Sequence, residues 1–395
     1  MKEGVLELLK FNTSLIPSQG ILGIEITDYC IKLVQLMQAR KQEVVVQKCF
    51  IEKLPKQVVV DGRIKDPAHF TLILQSMLAK LEIKTKKVHL VLPSELIMVR
   101  FLKFPDIAHK DLSKLVEFEM KHNIHLPFDS PVYDFTKLNG NGEDFAKPAK
   151  TKNKTKKNVI KQAEIARDEA AAALSGLDQL FADPNEVSKD ITMLQCDVML
   201  VAAPKELITE YEEAFTAASL QPLSMEFKAL SLFRLMEYSN MADTGSTVLV
   251  IDINGHLSDL SIFHDRQLKI TRTIPLDFTL GAGISKDNEE QELFHSFAGQ
   301  DSGFINGCND LGYEMERLMN FYRYTLNNRD HEFSRILVAG DVPRLQELLS
   351  ILAERLPLDI VLMKSDRIES VMPDFDRIFP SIAVPIGLAL RGNGR

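Results

Sequence analysis

The chain has 395 residues, with 47 Lys+Arg against 55 Asp+Glu, a formal net charge of −8, 45% hydrophobic residues and 26% charged residues. This is an ordinary globular composition, long enough for roughly two to four units with cores of their own. An acidic balance without a basic face argues against a nucleic-acid partner, and four dispersed cysteines without a CxxC pair indicate neither a zinc site nor a disulfide framework. No apolar run approaches the ~18 residues of a membrane helix, and residues 1–20 carry no secretory signal. Composition thus predicts a reduced, cytoplasmic protein.

After an amphipathic lead-in before Ser18, the segments Ile21–Ile26, Ile31–Met37 and Glu43–Leu54 read as three successive strands joined by short polar turns. Asp66 predicts a helix N-cap, with Pro67 at the first helical position. Phe70, Ile73, Leu74, Met77, Leu78 and Leu81 then fall on one helical face, and Val88–Leu92 reads as a buried strand ended by Pro93. Phe101–Pro105, the helical stretch Asp111–Lys121, Tyr133–Leu138 and Cys196–Ala203 suggest a small α+β module. Residues 139–190 interrupt it: Lys147–Lys161 holds seven lysines and no acid, and Glu164–Asp190 holds seven acids. Asn158–Phe181 is a candidate Ala-rich helix, but the lysine tract is too poor in apolar groups to pack, so a solvated insertion is expected.

Pro204 opens a helix whose apolar face is Leu207, Ile208, Tyr211, Phe215 and Ala218. The opening scheme then returns. Thr247–Ile253, Leu257–Asp265 and Gln267–Leu276 read as three strands, followed by a helix faced by Leu311, Met315, Leu318, Met319, Tyr322 and Leu326, and by the strand Arg335–Ala339. Asp341 is placed to cap the helix carrying Leu345, Leu348, Leu349 and Leu352. Two copies of a three-strand meander, each followed by a helix and a strand, predict a duplicated α/β domain around a cleft. Each copy carries an acid near the end of its first strand, Glu25 and Asp252, where the turn faces that cleft.

Weaker signals remain. Gly281-Ala282-Gly283 reads as an ordinary loop, since no GxxxxGK[ST] phosphate loop exists. His122 and His125 read as a surface pair, and Cys30 has no histidine near it in sequence to activate it. Lys32, on the second strand among apolar neighbours, is equally an exposed-face lysine or a phosphate contact. No Ser/His/Asp or paired-carboxylate constellation stands out.

Residues 23–34 read G-I-E-I-T-D-Y-C-I-K-L-V and residues 60–64 read V-D-G-R-I. These segments resemble the G-I-D-I-G-x-x-x-[IV]-K-L-V and V-x-G-x-I of the PilM family of type IV pilus assembly. The run Leu115–Glu119, Ile124–Phe128 and Tyr133–Phe135 is similar to E-x-E … I-P-F … [LY]-D-F, which other actin relatives lack. Asp252 and Ile253 with Ser258, Leu260 and Ser261, then Thr271–Pro275, resemble the second phosphate strand and hairpin. Glu314–Tyr322, Leu337–Gly340 and Pro385–Arg391 complete the likeness, which spans nearly the whole chain outside 139–190.

The resemblance implies an actin-like α/β fold with two related cores around a cleft and an inserted α+β subdomain, as in FtsA. It places the first core at 20–96, completed by 226–242 and part of 380–395, and the insert at 97–225. The second core falls at 243–280 and 330–395, with a helical subdomain at 281–329. In such folds two turns grip phosphates through backbone N–H groups while acids hold Mg²⁺ through water. Here that assigns ATP/Mg²⁺ to Glu25, Thr27, Asp28, Lys32, Asp252, Asn254, Gly255, Gly340 and Asp341, with Glu25 and Asp252 on the metal if a nucleotide binds. The turns depart from the family together: Glu25 for Asp, Thr27 for Gly, Asn254 for Gly, Asp277-Phe278 for Gly-Gly and Asp341 for Gly. The implied function is therefore a scaffold with a degenerate nucleotide site rather than an enzyme. Its expected partner is the N-terminal cytoplasmic tail of a PilN-like protein, lying between first core and insert at the inner face of the inner membrane, with other pilus inner-membrane and motor proteins nearby. Two alternatives are an active ATPase regulator and a GspL-like component of type II secretion.

Overall fold

The computed structural model describes residues 20–38, 44–138, 195–276, 278, 292–370 and 372–392. The lead-in, the charged insertion, Asp277 and Gly281–Gly283 lie outside these residues. The first meander is β1 (Ile21–Ile26), β2 (Cys30–Gln38) and β3 (Val44–Lys53), followed by a short hairpin of β4 (Val59–Val60) and β5 (Arg63–Ile64). Helix α1 (Pro67–Lys80) starts where expected, because Asp66 accepts a hydrogen bond from the His69 amide at 3.0 Å. It returns the chain to β6 (Lys87–Val91), which runs parallel to β1.

The inserted module contains β7 (Met98–Pro105), α2 (His109–His122), β8 (Pro131–Lys137) and β9 (Gln195–Pro204), with β9 in the middle of its sheet. Strand β9 is apolar throughout because both faces are covered. Val198, Leu200 and Ala202 pack under α2 with Phe104, Leu112 and Val116, whereas Met199, Val201 and Ala203 belong to the first-lobe core. Phe128, Tyr133 and Phe135, the residues carrying the most distinctive sequence likeness, pack against that small module core. The motif is a packing signature.

The helix α3 (Lys205–Ala217) and the strand β10 (Gln221–Glu226) leave the module and return to the first lobe. β10 pairs with β6, giving a six-stranded sheet of order β10-β6-β1-β2-β3-β16, whose last strand is β16 (Ile368–Ser370). Thus 221–225, assigned by resemblance to the insert, and 368–370, assigned to the second core, contribute to the first-lobe sheet. Helix α4 (Lys228–Tyr238) then crosses to the second sheet, of order β13-β12-β11-β14-β15. These strands are β11 (Thr247–Ile253), β12 (Leu257–His264), β13 (Gln267–Pro275), β14 (Phe333–Gly340) and β15 (Asp359–Leu362).

The long helix α5 (Glu292–Asn320) passes at Phe321 into a π-helical turn. That widened turn rotates the following residues, so Leu326 leaves the apolar face expected for it and is 43% exposed, while Leu311, Met315, Leu318 and Tyr322 stay buried. Helix α6 (Leu345–Arg355) and the closing helix α7 (Ala383–Ala389) complete the fold. The close seat of α7 on β1 is what demands Gly23, since a Cβ there would lie 1.9 Å from the Pro385 carbonyl oxygen. Beneath the cleft the lobes share apolar packing: Val248, Phe263 and Leu268 join the first-lobe core, and Phe233 stacks on Phe263 at 5.3 Å.

Candidate functional site

The two meanders place their acids on facing turns. In the first, β1 and β2 pair antiparallel with Glu25 directly opposite Lys32. In the second, β11 and β12 pair with Asp252 directly opposite Asp259. Opposite charges across a ladder stabilise it and like charges do the reverse, so the second pair needs a cation from elsewhere. Lys228, at the first turn of α4, supplies it at 2.8 Å from Asp252 and 3.3 Å from Asp259, and reaches Glu25 at 3.1 Å.

Lys32 is wholly buried, so the exposed-face reading of it is wrong. Its ammonium lies 3.3 Å from Glu25 and 3.1 Å from Asp341, and donates to the Asn254 side-chain oxygen at 3.1 Å. Asn254 in turn donates to Asp252 at 2.7 Å. Asp341 does not cap α6, which starts after Arg344 in a left-handed conformation. Its carboxylate instead accepts from the Tyr29 hydroxyl at 3.0 Å, and the Tyr29 oxygen accepts from the Gly255 amide at 3.1 Å. The Gly255 N–H is thereby committed to a protein partner.

The remaining residues of the assigned set have local duties. Thr27 accepts from the Cys30 amide at 3.1 Å and closes the first turn. Asp28 accepts from the Asp61 and Gly62 amides at 2.9 and 3.0 Å, tying the β4–β5 hairpin to that turn. Gly340 has φ +120, and a Cβ there would meet the Ile253 carbonyl oxygen at 2.0 Å, which is a packing reason for glycine. The structure therefore gathers Glu25, Lys32, Asp252, Asn254, Gly255 and Asp341 in one cluster, with Thr27, Asp28 and Gly340 on its border.

Burial raises the Glu25 pKa and outweighs the two ammoniums that pull it down. Burial would also raise Asp252, but Lys228 and Lys32 prevail and hold it below the usual carboxylate range. The contrast follows from geometry: Asp252 accepts from Lys228 and Asn254, whereas neither Glu25 oxygen accepts an aligned hydrogen bond. Burial disfavours the Lys228 charge, yet Asp252, Glu25 and Asp259 overcome it and its pKa lies above the ordinary lysine value. Burial likewise lifts the Cys30 thiol to about 11, a value at odds with a nucleophilic role. Among the described residues no group of three or more His, Cys, Asp and Glu is arranged to hold a metal ion. His122 and His125 are exposed, as expected of a surface pair.

The cavity bordered by Thr27, Tyr29, Gly62, Asn254 and His256 measures about 50 Å³. Between first lobe and module, Ile64, Pro67, Thr71, Ser130, Thr209 and Glu210 line a much larger groove of about 680 Å³. Lys228 is the member of the cluster that the sequence reading missed. The available signal was a lysine flanked by Phe227, Ala229 and Leu230 at the start of a mostly apolar helix. Among the described residues no helix is long and apolar enough to cross a membrane.

Residues 23–164 match the family model described as type IV pilus assembly protein PilM. No curated protein matches the sequence at a significant level. Among solved structures, a chain of a "PilM-PilN type IV pilus biogenesis complex" is similar with a TM-score of 0.71 and 19% identity, over 96% of this chain and 100% of that one. The ethanolamine utilization protein EutJ from Carboxydothermus hydrogenoformans follows with a TM-score of 0.49 and 12% identity, over 98% and 94% of the two chains. MreB5 of Spiroplasma citri bound to ADP gives 0.40 and 9%, over 93% and 94%. The fold is the actin-like one that the resemblance implied, with the two lobes built on the duplicated meanders.

Proposed function

We propose that this chain, which matches the PilM family model over residues 23–164 and shares the fold of a PilM-PilN complex chain, is a scaffold of type IV pilus assembly that holds a PilN-like partner without using a nucleotide. The family match carries the pilus assignment, and the solved relative that shares the fold is from a complex with PilN. The partner's segment is the N-terminal cytoplasmic tail of a PilN-like membrane protein, which would bring the chain to the inner face of the inner membrane. Its seat is the 680 Å³ groove between α1, α3 and the module. Glu206 and Glu213 line this groove with Lys205, while Glu210 is already paired with Arg63 at 2.6 Å, so two acids are left to meet basic side chains of an extended segment.

The residues present do not fit Mg²⁺-ATP. Lys228 already bridges Glu25 and Asp252, the acids that would hold the metal. The Gly255 amide is committed to Tyr29, and Asp341 would set a carboxylate beside the phosphates. The cavity at the two turns measures only about 50 Å³, but about 450 Å³ is open beside it along Lys228, Asp259 and Thr271, so it is the paired charges, not a lack of room, that oppose a nucleotide. A triphosphate would have to break several buried ion pairs to enter.

The test of the tail assignment is a titration of the full chain with a partner tail peptide. Thr209→Trp, at an exposed position in the groove, should weaken binding by about tenfold or more, the equivalent of ~1.4 kcal/mol. An unchanged dissociation constant would put the tail elsewhere.

A further inference from the structure

Lys228 is in the wrong place for an ordinary lysine. It is the first residue of α4, where the positive end of the helix dipole disfavours a cation, and it is buried. Three carboxylates converge on its ammonium: Glu25 at 3.1 Å from the first lobe, and Asp252 at 2.8 Å and Asp259 at 3.3 Å from the second. The last two face each other across the β11–β12 ladder and would repel without a cation between them. Asp259 is otherwise held by Thr273, which donates to its other oxygen at 2.6 Å.

We infer that these three carboxylates form a binding site for a primary ammonium, filled in cis by Lys228, and that this tethered cation holds the two lobes closed without metal or nucleotide. The inference deepens the nucleotide-free scaffold reading and rests on it. α4 and Glu25 belong to the first lobe and Asp252 and Asp259 to the second sheet, so the ammonium is an interlobe bridge. It stands in series with a second crossing, in which Tyr29 of the first lobe meets Asp341 and the Gly255 amide of the second. Releasing Lys228 should loosen both.

The readout is hydrogen exchange at the Gly255 amide, which is protected only while Tyr29 of the other lobe accepts from it. In the wild-type chain its exchange should be the same in EDTA and in Mg²⁺. Lys228→Ala should speed it by about tenfold or more, a loss of ~1.4 kcal/mol of protection, and ethylammonium chloride should slow it again where sodium chloride at equal ionic strength does not. Lys228→Met, closer in volume to lysine, is the second variant in case the alanine variant does not fold, and it should also exchange faster. Unchanged exchange in a folded variant, or faster exchange that ethylammonium and sodium reverse equally, would overturn the ammonium site. Slowing of wild-type exchange by Mg²⁺ alone would overturn metal-independent closure. None of these outcomes depends on ATP, so failure here is distinguishable from nucleotide binding by the wild-type chain.

Discussion

Two buried ionic networks in this molecule differ in what they join. Around Glu226 everything belongs to the first lobe: Arg234 donates through two nitrogens at 2.9 and 2.8 Å, and Arg391 through a third at 2.9 Å. Around Lys32 and Lys228 the partners come from both lobes, and the geometry is looser. Glu226 and Glu25 are both fully buried, yet they move in opposite directions. Burial would raise Glu226, but the two guanidiniums prevail and its pKa falls. At Glu25 burial prevails and the pKa rises. Planar guanidinium forks satisfy a carboxylate in a way that two ammonium points do not. The first network is a staple within a lobe, and the second is a clasp across a cleft.

The largest effect that would sharpen this contrast is expected at the staple. Arg234→Met strands Glu226 with a single cation in a dry interior, and breaking such a pair costs about 3–5 kcal/mol. Urea unfolding should show a loss of that order. A loss under ~1 kcal/mol would mean that Arg391 alone suffices.

A somewhat smaller effect belongs to His89, next to the staple. The Gly392 carbonyl can only accept, so Nε2 carries the proton and donates to it at 2.6 Å, leaving Nδ1 to accept from the Ser224 hydroxyl at 2.6 Å. Burial holds the His89 pKa down at about 4, against 6.5 for the free side chain. A depressed folded-state value means that the contribution is complete above pH 6.5 and is lost as pH falls toward 4, amounting to about 3 kcal/mol. His89→Gln should flatten that part of the stability–pH curve. If the slope between pH 6.5 and 4 persists in the variant, it arises elsewhere.

The smallest of the three is expected at the clasp. Lys32→Met leaves Glu25 and Asp341 short of one cation, but Glu25 can take up a proton, which limits the cost to about 2 kcal/mol. A raised carboxyl contributes fully below its unfolded value of 4.5 and loses that contribution as pH rises through the folded-state value. The variant's deficit should therefore grow from pH 5 to pH 8. A deficit that is flat across this range would show that Glu25 does not carry the proton.

Much of the fold was legible in the sequence because it rests on local periodicity. The strand at Thr247–Ile253, the Asp66 cap and the α3 face of Leu207, Ile208, Tyr211 and Phe215 are each set by neighbours in the chain. The misreadings are of residues whose partners are remote. Lys32 meets Asp341 more than three hundred positions away, and that long-range contact turned an expected helix cap into one arm of the clasp. Lys228 was missed because its acids at 25, 252 and 259 meet only in the folded cleft, so its apolar setting in the sequence did not name its partners. Leu326 left its face because a π-helical turn breaks the 3.6-residue period.

The most direct test of the account is a calorimetric titration of the full wild-type chain with Mg²⁺-ATP, alone and with a saturating partner tail peptide. A clasp already filled by Lys32 and Lys228 predicts no saturable heat from nucleotide up to about millimolar concentration in either case, near −4 kcal/mol of binding at most, together with clear binding of the tail. A dissociation constant for ATP in the low micromolar range would contradict it and make this chain a nucleotide-dependent regulator.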